Sequence, residues 1–279
     1  VWYGFSSDGV SWTFTEIETN SDPSGWKNTD DPVLRTDGNN RPHIGFIYTD
    51  ANNPREYTLR YYYYNGSSWV QQNAFSQTGV SNEITIFDMD LDGNDKAHYA
   101  FQRETDGSGL DGGLWYVNNV SGSWGSPTEL AAGANGATQG NGVTIAVDPS
   151  DNVHILHADH DYDLFHVHNT SGSFVSSQVN GNLDAATWRK SLHISSSGGL
   201  FAATKPVGPG VWGGVSPLAG LNYIYKAPGS STWTTGTIVS AGGNVATASF
   251  YSAAFADNGK AYALYDAVSY THLTLPTMR

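Results

Sequence analysis

Between positions 153 and 169 the chain concentrates imidazoles and carboxylates. His154, His157, Asp159, His160, Asp161, Asp163, His166 and His168 all fall there, five of the nine histidines in the sequence. Imidazole and carboxylate together suit Zn, Fe, Ni or Mn, so His157, Asp159, His160 and a neighbouring carboxylate are a reasonable site for a divalent transition metal. Either His157 or His160 could also act as a general acid or base, because imidazole titrates near neutrality. Strand alternation limits the set: His157 and Asp159 point one way and His154 the other. The competing reading is a polar hairpin tip, with His154 filling a position that other parts of the chain repeat.

A second constellation is Asp88-Met89-Asp90-Leu91-Asp92-Gly93-Asn94-Asp95. Alternate carboxylates followed by glycine resemble a Ca²⁺ loop, which surrounds the ion with hard oxygens. An EF-hand needs Glu at loop position twelve, where this chain has Tyr99, so that motif fails. Asp88, Asp90 and Asp92 remain candidate cation ligands; alternatively Asp92 serves a repeated turn while Asp88 and Asp90 line a central channel. A third group could contact sugars: Arg55 and Tyr57 in one loop, Arg103 in the next, Trp212 in another, and Trp188 and Arg189 before a strand. An indole over a sugar face, with Arg beside an acidic substituent, is a workable recognition set. With His157, these six form the expected ligand site.

Whatever positions these groups must be built from many strands. Aromatics make up 13% of 279 residues, charged residues only 14%, and there are 32 glycines, which excludes a helical bundle or coiled coil and argues against disorder. There is no cysteine, so neither disulfides nor thiolate chemistry are available. A net charge of −13 disfavours nucleic acid and anionic membrane as partners, and no apolar run is long enough for a membrane helix.

One unit recurs about every 50–60 residues, the period of a repeat architecture. Its second strand reads Pro42-His43-Ile44-Gly45-Phe46, then Ala97-His98-Tyr99-Ala100-Phe101, then Val153-His154-Ile155-Leu156-His157, with weaker copies from Leu200 and Ala261. Six residues before each of these His lies an Asp: Asp37, Asp92 and Asp148. A third strand starts near Leu59, Leu114, Leu164 and Leu221, and closes in a Gly/Ser turn before Trp69, Trp124, Phe174 or Trp233. Four short antiparallel strands per unit predict an all-β β-propeller of about five to six blades, a β-sandwich being the runner-up. The propeller is expected over residues 1–268 and incomplete at both ends. Residues 269–279 resemble translated adaptor sequence from an environmental read and are expected outside the fold.

The unit, Asp–turn–His-Ile…Leu-x-Tyr…Gly-Ser-Trp, resembles the repeats of large secreted or surface propellers of the sialidase-like, Asp-box style. Those motifs specify blade packing rather than chemistry. The Arg-Ile-Pro of sialidases is absent, and Ser6-Ser7-Asp8-Gly9-Val10-Ser11-Trp12 is one residue out of register with their Asp box, so sialidase activity does not follow.

First-to-second and third-to-fourth strand turns are short and alike, whereas second-to-third connections differ in every unit. Variable loops on a rigid scaffold usually carry function, so the site and the deepest pocket are expected on the variable face. The leading expectation is a non-catalytic extracellular or surface module that binds glycans or another extracellular partner. A propeller-fold lyase or glycosidase and a purely structural repeat segment are the rivals.

Overall fold

The computed structural model describes residues 1–19, 27–50, 56–79, 83–103, 113–131, 142–158, 163–179, 185–186, 192–206, 221–239, 251–255 and 260–265. Every element among them is a β-strand. The chain enters with β1 (Trp2–Phe5) and β2 (Thr13–Glu16), which pair with each other. The first full blade is β3 (Lys27–Thr36), β4 (Pro42–Asp50), β5 (Glu56–Tyr64) and β6 (Trp69–Thr78), antiparallel in that order. The second is β7 (Ile84–Leu91), β8 (Ala97–Arg103), β9 (Gly113–Asn118) and β10 (Thr128–Ala131). The third is β11 (Val143–Val147), β12 (Val153–Ala158), β13 (Leu164–His168) and β14 (Val175–Gln178).

In the fourth blade the inner strand is divided. β15 (Ala185–Ala186) and β16 (Leu192–Ile194) pair with opposite ends of β17 (Leu200–Pro206), which continues to β18 (Leu221–Lys226) and β19 (Thr234–Val239). β20 (Tyr251–Phe255) and β21 (Ala261–Tyr265) begin another sheet. Inner strands β3, β7, β11, β16 and β20 neighbour one another in that order, as blades around an axis do. The expected ranks are met: His43, His98 and His154 all stand in second strands.

Each repeated Asp builds the turn that joins an inner strand to its neighbour. Asp37 Oδ1 accepts the N–H of Asn39 and of Arg41, both at 2.8 Å, and Asp92 and Asp148 repeat this with their own i+2 and i+4 amides. Three residues after each Asp the backbone turns left-handed, at Asn40 (φ 58°), Asp95 (61°) and Asp151 (63°). Asn and Asp tolerate that conformation better than other non-glycine residues. In the fourth blade Ser195 and Gly198 (φ 85°) occupy the same places.

Two of these turns also bind their neighbours. The Gly38 N–H donates to Asp95 Oδ1 at 2.9 Å, and the Gly93 N–H to Asp151 Oδ1 at 2.7 Å. The next step of the series has Pro149, which carries no N–H, opposite Gly198, which carries no side chain, so the bond cannot form there.

Apolar cores fill the seams between blades rather than one centre. Ile47, Leu59 and Tyr61 meet Phe87, Met89, Tyr99 and Phe101 between the first and second blades. Ile86, Ala100 and Leu114 meet Val143, Ile145, Val153 and Ile155 between the second and third. Leu156, Leu164, Leu200, Ile224 and Trp233 form the next seam. On the opposite side of the first blade, Ile44, Phe46 and Tyr62 pack against Val1, Tyr3 and Ile17 of the β1–β2 hairpin.

The turn aromatics lock these seams. Trp124 meets Tyr61 edge-on at 5.3 Å, Phe174 meets Tyr116 at 5.0 Å, and Trp233 meets His166 at 5.3 Å. Trp69 meets Tyr3 in the same way at 5.2 Å, which ranks β1 as a third strand and β1–β2 as the outer half of a blade. Its other face leaves Trp2, Trp12 and Phe14 exposed.

Candidate functional site

The sequence spacing Asp–x5–His has a structural meaning that includes a third residue. His43 Nε2 faces Asp37 Oδ2 at 3.6 Å, while its Nδ1 meets the Tyr61 hydroxyl at 2.5 Å. In the second blade His98 Nε2 lies 3.3 Å from Asp92 and Nδ1 meets Tyr116 at 2.5 Å. A carboxylate only accepts, so Nε2 carries the proton and the tyrosine hydroxyl donates to Nδ1. In the third blade His154 faces Asp148 at 3.5 Å, and His166 Nε2 replaces the tyrosine hydroxyl at 3.0 Å. Burial is the largest influence on all three second-strand rings and holds them below the ordinary imidazole pKa, against the raising effect of each Asp. Burial likewise pushes the Tyr61 and Tyr116 hydroxyls up. All are neutral near pH 7 and act as hydrogen-bonding groups.

Above this layer, at the short-turn end, a cleft of about 280 Å³ opens between the first and second blades. Arg41, His43, Tyr61, Tyr63 and Gln72 form one wall; Asn94, Asp95, Lys96 and Asn119 form the other. Tyr63 stacks on Tyr61 at 5.6 Å and on His43 at 5.8 Å, so its ring is fixed. Gln72 is oriented by the Trp124 indole N–H, which donates to its Oε1 at 2.9 Å. Arg41 is anchored by Asp37 at 2.6 Å and reaches Asp95 at 3.8 Å. The ammonium of Lys96 has no ion pair among the described residues. Such a cleft offers a flat aromatic surface edged by oriented donors and acceptors.

At the axis, Asp88 is fully buried and its oxygens are committed to protein. Oδ1 faces Arg35 Nη2 at 3.4 Å and accepts the Met89 N–H at 2.9 Å; Oδ2 accepts the Thr144 hydroxyl at 3.0 Å and the Ile145 N–H at 3.1 Å. Asp90 accepts from Arg35 Nε at 3.1 Å and from the Val147 N–H at 2.8 Å. These two carboxylates on β7 therefore clamp β3 on one side and β11 on the other. Asp92 makes the turn and faces His98. A cation at Asp88, Asp90 and Asp92 would have to displace these bonds.

The remaining expected site residues divide sharply. Arg55, Asp159, His160, Trp188, Arg189 and Trp212 lie outside the described residues, as do the variable loops that hold them and the segment after Tyr265. Tyr57, expected in a loop, is a strand residue: β5 begins at Glu56, and alternation turns Tyr57 into the seam beside Leu59, where it is 2% exposed. Arg103 ends β8, with its guanidinium 5.0 Å from the Trp115 ring and 5.5 Å from Phe75. His157 is buried, its ring nitrogens finding among the described residues only the poorly aligned backbone of Ala158, and it stacks on Phe165 at 5.5 Å. Among the described residues no three His, Asp or Glu side chains gather into a metal-binding group. The site was expected at the other end of the blades, on the variable loops, which lie outside the described residues. Its residues were legible only in part, through the repeated Asp-to-His spacing; Tyr61 and Tyr63 looked like ordinary strand aromatics.

No family model matches the chain, and no curated protein does. Solved structures do. A complex of the Aleuria aurantia lectin with α-methyl-L-fucoside is 14% identical with a TM-score of 0.52, over 92% of this chain and 76% of that one. The same lectin, described as a six-bladed β-propeller, gives 14% and 0.51 over the same shares. A protein of unknown function from Dyadobacter fermentans gives 12% and 0.50 over 76% of this chain and 69% of that one. The chain folds as a β-propeller. At these identities the likeness is one of fold, and it does not extend to the sialidase-like style of the repeats.

Proposed function

We propose that this propeller is a glycan-binding module, and that the short-turn cleft between its first and second blades holds a sugar ring. The carrying observation is the composition of that cleft. The partly exposed Tyr63 ring, backed by the buried Tyr61, provides an apolar face, and Asn65, Gln72, Asn94, Asn119, Arg41 and Lys96 surround it with hydrogen-bonding groups from both blades. Sugars present the same combination, C–H patches rimmed by hydroxyls, and small-molecule sites combine apolar walls with few oriented polar groups in this way. About 280 Å³ is at the small end for such sites and suits a single ring. The Aleuria lectin held a fucoside on the same fold, which is a precedent for the architecture and not for this cleft.

Nothing in the cleft sets a nucleophile beside a base, and its histidine is engaged on both ring nitrogens, so binding fits better than catalysis. A glycan ligand implies an extracellular or surface setting. A glycan array with the whole chain tests the reading. Tyr63→Ala is expected to weaken retention of any bound glycan at least tenfold, while Ser177→Ala on the outer strand of the third blade leaves it unchanged. Absence of any retained glycan, or equal retention by Tyr63→Ala, would overturn it.

A further inference from the structure

The seams of the propeller are equivalent in register, and one layer differs among them: an apolar pair in the first seam, two hydrogen-bonding side chains in the second, and Ala158 with Thr204 in the third. Strand register makes Ile47, Gln102 and Ala158 equivalent, opposite Leu59, Leu114 and Leu164 in turn. It likewise makes Phe46, Phe101 and His157 equivalent, opposite Arg60, Trp115 and Phe165. In the seam between the first and second blades, Ile47 and Phe101 belong to one apolar cluster. The same two places in the next seam are held by Gln102 and His157. Gln102 shares the face of β8 that sends Ala100 into that seam, and His157 shares the face of β12 that sends Val153 and Ile155 into it from the other side.

Both residues are buried, Gln102 at 1% exposure and His157 at 2%; among the described residues neither atom of the Gln102 amide has a hydrogen-bond partner, and His157 finds only a poorly aligned one, the backbone of the adjacent Ala158. A buried polar group without a partner is costly, and native proteins satisfy nearly all of them. An apolar pair was available here, because the neighbouring seam uses one. Polar residues have instead replaced it on both sides of the same layer.

We propose that the seam between the second and third blades binds one neutral hydroxyl oxygen, held between Gln102 and His157 near the C-terminal ends of β8 and β12. The donor set selects this chemistry. A neutral imidazole and a primary amide each donate and accept, which matches an O–H that does both; an imidazole and an amide without a carboxylate are a poor cage for a cation. The hydroxyl belongs to an ordered water or to a saccharide entering from the end of the blades opposite the short turns. The proposal does not depend on the glycan reading of the opposite cleft.

Two experiments on the whole chain decide it. Crystals that resolve ordered solvent, grown alone and soaked with methyl glucoside, should show one oxygen within hydrogen-bonding distance of both side chains. A water in the soaked crystal identifies solvent as the source, and a sugar oxygen identifies the saccharide. A dry seam, or a direct bond from the Gln102 amide to the His157 ring, overturns the proposal. In thermal unfolding, Gln102→Ile and His157→Phe should each lower Tm by a few degrees. The double variant rebuilds the apolar pair of the neighbouring seam and should recover most of that loss. Losses that simply add would mean the two residues share nothing.

Discussion

His154 Nδ1 and His166 Nε2 lie 3.0 Å apart with their rings 9° from parallel, where the first and second blades set histidine against a tyrosine hydroxyl. His168 stacks on His166 at 4.6 Å, and Lys226 of the fourth blade adds a cation nearby. Burial first, then these neighbours, holds the His166 pKa down to about 2. Among the described residues Asp148 offsets Lys226, and it acts on His154.

Acid should therefore attack this seam. An unfolded imidazole takes up its proton as pH falls through about 6.5, while the folded ring stays neutral. Stability from such a ring is complete above that pH and falls with acidification, by about 1.4 kcal/mol per pH unit per fully suppressed histidine. His166→Tyr restores the pairing of the first two blades and should narrow the difference in Tm between pH 7 and pH 5. A difference as wide as that of the parent protein would show that the seam does not govern acid sensitivity.

Asp88→Ala should be among the most damaging single changes. It leaves the Thr144 hydroxyl, the Ile145 N–H and Arg35 Nη2 without their acceptor, while Arg35 Nε keeps Asp90. Because Arg35 keeps Asp90, the cost is that of the unpaired buried donors, about 2–3 kcal/mol. Urea denaturation measures it, and a loss below about 1 kcal/mol would mean that the axis is not clamped there.

The Gly93–Asp151 latch predicts an order of two variants. Asp151→Ala loses the bonds to the Gly93 N–H and the Asn94 amide and keeps a left-handed backbone, for about 1–2 kcal/mol. Asp151→Gly loses the same bonds and relieves the backbone, so it should unfold later than Asp151→Ala. The reverse order in thermal melts would remove the conformational part of the argument.

Gly45 is small because the second blade presses on it. A Cβ there would stand 2.5 Å from the Tyr99 hydroxyl and 3.2 Å from Phe87 Cε2. Gly45→Ala should cost about 2 kcal/mol by overpacking, and adding Tyr99→Phe should return part of it. No recovery in the denaturation midpoint would place the strain elsewhere.

The blades were legible because the repeat is written in packing residues. The Asp of each short turn, the second-strand His and the turn aromatic recur at fixed spacing, and each has the structural place that its spacing implied. Partners across a hairpin or a seam were not legible. Tyr61 stands eighteen positions from His43, and Thr144 fifty-six from Asp88, so neither contact leaves a local pattern. Asp88 and Asp90 resembled cation ligands for that reason: in sequence a carboxylate aimed at a metal and one aimed at a neighbouring strand look alike. Tyr57 was misplaced because strand β5 begins before the hydrophobic run at Leu59 that marked it.

The turn-to-turn bonds give the propeller a rim fastened from the first blade to the third and unfastened at Pro149 and Gly198. Load applied along that rim would not be shared evenly. It would collect at the junction of the third and fourth blades, where side-chain packing and the single Leu192 N–H to Thr144 hydroxyl bond at 3.1 Å are what the described residues offer against separation, and where the acid-sensitive histidines also sit. Pulled from its ends in an optical trap, the molecule would tear at that line first and release the fourth blade with whatever follows it. The three blades before it would come away together, at higher force.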